Sequence, residues 1–122
     1  MKLLLLAGTA FLGLAASGSA ARAVPIDFTF TGSLVTFIVP TSGLYQILAF
    51  GAQGGSVTPF SITAPGGRGA EIGGDFSLMT GEFLTIAVGG AESDAQHFAG
   101  GGGSFVVGPD NKPLVIAGGG GG

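Results

Sequence analysis

The sequence predicts an all-β fold, a β-sandwich with jelly-roll character that carries glycine-rich, polyproline II-like segments. Three observations predict it. Glycine supplies 26 of the 122 residues, roughly three times ordinary usage, and glycine is among the poorest helix formers. No 11-residue window beyond residue 23 carries an apolar i, i+3, i+4, i+7 stripe free of Gly or Pro. Short β-branched and aromatic runs recur, most of them 8 to 14 residues apart, with Gly or Pro between them, the spacing of sandwich strands.

The first 23 residues read as a removable signal peptide. Lys2 gives the positive start, residues 3–16 are apolar and uncharged, and Ala21-Arg22-Ala23 fits a small-x-small cleavage site. The cut is placed after Ala23, so that the mature domain spans residues 24–122. The competing reading is a retained anchor. Gly8, Thr9, Gly13, Ser17, Gly18 and Ser19 dilute the run below the continuous apolar length that spanning requires. Without the leader only Arg68 and Lys112 are basic, against seven acidic side chains, a net charge of −5 over 99 residues. So acidic a chain lacks a nucleic-acid footprint. With no Cys it has no disulfide framework.

Along the mature chain, strands are expected at residues 28–30, 36–39, 44–50, 70–78, 83–88, 105–107 and 114–117. The fourth, with Gly73-Gly74 inside it, suggests a bulge or a close backbone approach. The third is apolar at almost every position except Gln46, as in a strand covered on both faces. Turns are expected at Thr80-Gly81-Glu82 and at Gly108-Pro109-Asp110-Asn111. Phe28, Phe30, Phe37, Phe50, Phe76, Phe83 and Phe105 fall in or beside these strands and are read as core.

Glycine-rich stretches at residues 51–55, 65–69, 100–103 and 118–122 interrupt the strands. Two readings compete. Gly runs are flexible linkers in isolation. Alternatively they are ordered, left-handed, three-residue-per-turn helices that pack closely because they lack Cβ atoms. One run of four or five residues spans only about 12 to 16 Å, so several would have to pack together or against the sheets.

The strand phrases and Gly blocks come in a fixed order: TFIVPTSGLYQILAFGAQGG at residues 36–55, GGRGAEIGGDFSLMTGEFLTIAVGG at 66–90, GGGGSFVVG at 100–108 and PLVIAGGGGG at 113–122. This order resembles the glycine-rich domain family of exported bacterial proteins. It is also similar to the extracellular glycine-rich domain of the anaplastic lymphoma kinase and leukocyte tyrosine kinase receptors. The resemblance covers nearly all of residues 28–122. It implies a β-sandwich with jelly-roll character and packed glycine helices. In the receptors that region belongs to the ligand-binding ectodomain. Two departures stand out: the animal domains contain Cys, and the family continues into further Gly-rich segments where this chain stops at Gly122. A truncated member is therefore expected. No VAIK-like Lys, HRD or DFG is present, so no kinase lies in this chain.

The reactive side chains form no strong motif. There is no Gly-Lys pair for a phosphate loop. Gly67-Arg68-Gly69 has Ile72 where a dinucleotide fingerprint needs its third Gly. Residues 66–71 partly match the start of a Ca²⁺-binding repeat, with Glu71 in place of Asp, and Glu92 with Asp94 is an alternative oxygen-rich loop. Solvated loop charge is the simpler reading of both. His97 is the only His, too few for a zinc site. Asp94, His97 and Ser104 could be imagined as a triad, but Ser104 is not on a nucleophile elbow. Arg68 could clamp a carboxylate or pair with a neighbouring acid. The expectation is a secreted or cell-surface, non-catalytic binding or structural module. It has no catalytic, cofactor or metal residues and no membrane span in the mature chain. Its partner is an unidentified protein or extracellular surface, or a further copy of itself. The alternative is the ligand-binding ectodomain fragment of a receptor tyrosine kinase-like protein.

Overall fold

A computed structural model of the chain describes residues 2–8, 25–58, 62–91 and 99–122. Among them are eight strands: β1 (Lys2–Gly8), β2 (Pro25–Thr29), β3 (Val35–Ile38), β4 (Gly43–Phe50), β5 (Glu71–Leu78), β6 (Phe83–Ala87), β7 (Ser104–Val107) and β8 (Pro113–Ala117). They form two four-stranded sheets, ordered β2-β1-β4-β5 and β3-β6-β7-β8. Every strand pairing within them is antiparallel. No described helix is long and apolar enough to cross a membrane.

Seven of these strands lie where the sequence expects them, with ends shifted by at most three residues. The eighth, β1, lies in the segment that the sequence reads as a signal peptide, where no strand is expected. It pairs with β2 on one side (Leu5 opposite Ile26) and with β4 on the other (Leu5 opposite Ile47). The expected cleavage site at residues 21–23 lies outside the described residues.

The core draws on both sheets. Tyr45, Ile47 and Ala49 of β4 and Leu78 of β5 meet Leu84, Ile86, Val106, Val115 and Ala117 of the second sheet. Tyr45 is buried because its hydroxyl has a partner, donating to the Thr41 carbonyl at 2.6 Å. Leu84 is completely enclosed. Leu84→Ala is expected to cost about 2–5 kcal/mol, the range for emptying a buried leucine site, read as a lowered urea midpoint.

Three expectations are corrected here. No described Phe is fully buried in the core. Phe30 and Phe83 are more than half exposed, while Phe28, Phe37 and Phe76 only flank the core, the first two edge-to-face across the sheets at 5.9 Å. The reason is register: Phe83 stands opposite Ile38 on the outer face, whereas its neighbour Leu84 stands opposite Phe37 on the inner one. Secondly, β4 is not covered on both faces, because Leu44 and Gln46 are exposed while Tyr45, Ile47 and Ala49 are enclosed. Thirdly, Gly73-Gly74 makes no bulge; β4 and β5 pair without interruption from Gly43–Leu78 to Phe50–Glu71. The two glycines make room for side chains instead. A Cβ on Gly73 would stand 2.9 Å from Leu48 Cδ1, and one on Gly74 3.0 Å from the Phe76 ring.

The expected turns are present. Glu82 N–H donates to the Met79 carbonyl at 3.1 Å across a turn whose Gly81 has φ +86°. The β7–β8 connection is a short 3₁₀ turn over Pro109–Asn111, with Asp110 and Asn111 both at positive φ, the region these two residue types tolerate best after glycine.

Candidate functional site

The strands of both sheets run out, at one end, into glycine-rich segments. These are residues 51–55 after β4, 66–70 before β5, 88–90 after β6, 99–103 before β7 and 118–122 after β8. Backbone hydrogen bonds knit the five together. Gly51 and Gly54 donate to Ala70 and Gly67 at 2.8 and 2.9 Å, and Ala52 and Gly55 donate to Gly102 and Ala99 at 2.9 and 2.8 Å. Gly67 and Ala70 donate to Gly121 and Gly118 at 2.7 and 2.8 Å. Gly101 donates to Gly120 and Gly120 to Ala52, both at 2.8 Å, and Gly102 donates to Gly90 at 3.0 Å.

In each of the three paired sets the donors are three residues apart, and so are their acceptors. A β-ladder repeats every two residues and offers partners on two sides. Residues 51–55 instead meet one neighbour through 51 and 54 and another through 52 and 55, as a three-residue turn requires. Burial follows the same period. Gln53 and Ser56 are exposed while residues 51, 52, 54, 55 and 57 are buried. The two exposed side chains both reach Gly66: Gln53 Nε2 donates to its carbonyl at 3.0 Å, and its N–H donates to Ser56 Oγ at 3.2 Å.

Such close packing excludes side chains. A Cβ on Gly51 would run into the Gly118 carbonyl, one on Gly54 into that of Gly121, and one on Gly69 into that of Gly51. Gly101, Gly119 and Gly120 are blocked in the same way by the carbonyls of Ala52, Gly101 and Gly67. Gly118 and Gly121 are different, since nothing lies within 4 Å of a Cβ built on either.

Ser104 holds the junction between sheets and glycine segments. It is the only buried polar side chain among the described residues. Its Oγ donates to the Phe50 carbonyl at 2.7 Å and accepts from the Gly89 N–H at 2.9 Å. The hydroxyl thus ties the end of β4 in one sheet to the segment leaving β6 in the other, from the first residue of β7. Both its hydrogen bonds are to backbone, and it is sealed from solvent.

Of the remaining sequence candidates the structure describes only some. Asp94 and His97, the other members of the imagined triad, and Glu92 lie outside the described residues. Glu71 and Arg68 are exposed. Among the described residues no group of three or more His, Asp or Glu side chains is placed to hold a metal ion. An open apolar depression of about 350 Å³ lies beside the array, lined by Phe30, Leu34, Val88 and Gly90 among others.

Sequence reasoning finds four of the five glycine segments but misses residues 88–90, where only Gly89-Gly90 after an apolar strand hints at it. It also misses the structural use of Ser104, for which a small polar residue between a Gly run and an apolar strand is the available signal. Comparison of the chain with protein-family models, with curated proteins and with solved structures returns no match.

Proposed function

We propose that the chain is an exported, non-catalytic glycine-rich binding or structural module that acts at the cell surface or outside the cell. In this reading its two sheets form a sandwich of jelly-roll character, and the glycine segments are packed polyproline II-type helices. The order of strand phrases and Gly blocks supports placing it with the glycine-rich domains of exported bacterial proteins.

The observation that carries the proposal is the array itself. Five segments, four of them bonded at three-residue intervals and blocked to a Cβ at Gly51, Gly54, Gly69, Gly101, Gly119 and Gly120, form a stiff backbone scaffold with few chemically active groups. A body of this kind suits holding surfaces in place. The second sheet supplies such a surface. Its four strands contain no charged residue, and Ile38, Phe83 and Ile116 on its outer face are each more than half exposed. Exposed apolar patches of this sort mark contact sites.

The test is to express the full chain with a C-terminal tag in an exporting bacterial host and to locate it by fractionation, surface proteolysis and intact mass. The expected product lies outside the cytoplasm, begins at Val24 and is accessible to added protease or free in the medium. A cytoplasmic product that keeps Met1 would overturn the proposal.

A further inference from the structure

β1 fills a slot that the rest of the chain cannot easily refill. It lies between β2 and β4 and is antiparallel to both. Consequently β2 and β4 run parallel, two strand spacings apart, about 9–10 Å. Among the described residues β2 has no strand partner other than β1. Removal of residues 1–23, which rests on the export reading above, would therefore strip β2 of its ladder. It would also bare one edge of β4, the strand that holds Tyr45, Ile47 and Ala49 in the core. Buried backbone groups left unpaired are costly, and a bared edge is a template for another strand.

The orphaned strand fits the vacated slot, but only from a second molecule. Within one chain β2 has the wrong direction to replace β1, and the exposed linker of residues 30–34 reaches at most about 17 Å. A second copy brings β2 in antiparallel. The alternation of β2 matches as well. Ile26 and Phe28 face the core and Pro25, Asp27 and Thr29 face outward. Setting Ile26 opposite Ile47 and Phe28 opposite Tyr45 of the other copy places Asp27 opposite Gln46, a polar pair on the outer face. Pro25 then stands at the first position of the inserted strand, where proline is tolerated. The linker contains Gly32 at φ +76°, a suitable hinge.

We propose that loss of the leader converts the chain into a reciprocally strand-swapped homodimer, β2 of each copy lying beside β4 of the other. The exchange is isologous and closes as a two-fold dimer.

The chain has no Cys, so introduced thiols report contacts without interference. The full chain is made with a specific protease site in place of residues 19–22 and with Asp27→Cys and Gln46→Cys. It is cut after purification, so the outcome does not depend on whether cells remove the leader. Before cutting, a monomer without a cross-link is expected. After cutting and release of the leader, the mass by light scattering should double, and oxidation should give a covalent dimer. A second variant, Asp27→Cys with Leu48→Cys, detects the rival outcome. Both residues are opposite Leu4 of β1, so simple collapse of β2 onto its own β4 would join them within one chain. The swap is overturned if the cut chain stays monomeric, if only this intrachain link forms, or if the leader fragment remains bound. It is also overturned if hydrogen exchange finds the amides of residues 51–55 unprotected after cutting, because the chain would then have unfolded instead of pairing.

Discussion

Gly51→Ala is expected to lower stability by about 3 kcal/mol or more, enough to leave a domain of this size largely unfolded at room temperature. Its Cβ would enter the space of the Gly118 carbonyl oxygen, and the Gly118 carbon and Gly119 nitrogen crowd the same position. Overpacking a side-chain core costs about 1–3 kcal/mol because neighbours can change rotamer. Here the neighbours are backbone, and moving them would break the Ala70–Gly118 and Gly120–Ala52 hydrogen bonds. The matched control is Gly118→Ala or Gly121→Ala. Neither meets an atom within 4 Å, and alanine reduces the freedom of the unfolded chain, a gain of about 0.4–1 kcal/mol where the backbone permits it. Those two variants should match or slightly exceed the parent. Tyr45 is the only tyrosine, tryptophan is absent, and the ring is buried, so its fluorescence during urea titration reads all three. Equal midpoints for the two classes would mean that residues 51–55 and 118–122 do not pack against each other.

Ser104→Ala should cost about 2–4 kcal/mol, although it removes a single atom. The hydroxyl serves one buried donor, Gly89 N–H, and one partly buried acceptor, the Phe50 carbonyl. Each group left without a partner costs about 1–3 kcal/mol. Loss of protection at the Gly89 amide in hydrogen exchange should accompany the fall in the urea midpoint. Ser42 provides the contrast. Its Oγ accepts from the Thr80 N–H at 2.8 Å, but the site is exposed, so water can replace the hydroxyl and Ser42→Ala should cost less than about 1 kcal/mol. A Ser104→Ala chain as stable as Ser42→Ala, with the Gly89 amide still protected, would remove the role assigned to the junction.

Much of the fold was legible because punctuation and composition act locally. Pro40, Gly81 and the Gly108–Asn111 turn bound runs rich in Val, Ile, Phe and Thr, and the strands lie where those runs lie. What composition does not encode is parity. Whether Phe83 or Leu84 faces the core depends on which residue of β3 stands opposite, and that is set by pairing across some 45 residues of chain. The same blindness makes β4 read as covered on both faces. β1 escaped because four consecutive leucines show no alternation, so the segment carries the marks of a leader and none of a half-buried strand.

The glycine segments show the limit differently. Their existence follows from counting, and their need for mutual packing from the short reach of each. Their partners do not follow, because a residue without a side chain leaves no pattern to match. Only where other residues punctuate the run, at Gln53 and Ser56, does the three-residue period surface in the sequence. The structural use of Ser104 escapes the sequence for a related reason. A serine next to a Gly run suggests reactivity when considered alone, and only the enclosure by Phe50 and Gly89 shows that it fastens backbone to backbone.

The blocked glycines have a consequence at the level of the gene. Every single-base change at the first or second position of a glycine codon creates a stop or a residue bearing a Cβ, and no amino acid is smaller. Gly51, Gly54, Gly69 and Gly120 therefore have no neighbouring allele that their carbonyl contacts would accept, while a leucine in the core can drift to valine, isoleucine or methionine at modest cost. Inherited variation at those four positions should be silent, confined to the third base. The codons of Gly118 and Gly121, interleaved in the same array, are free to wander.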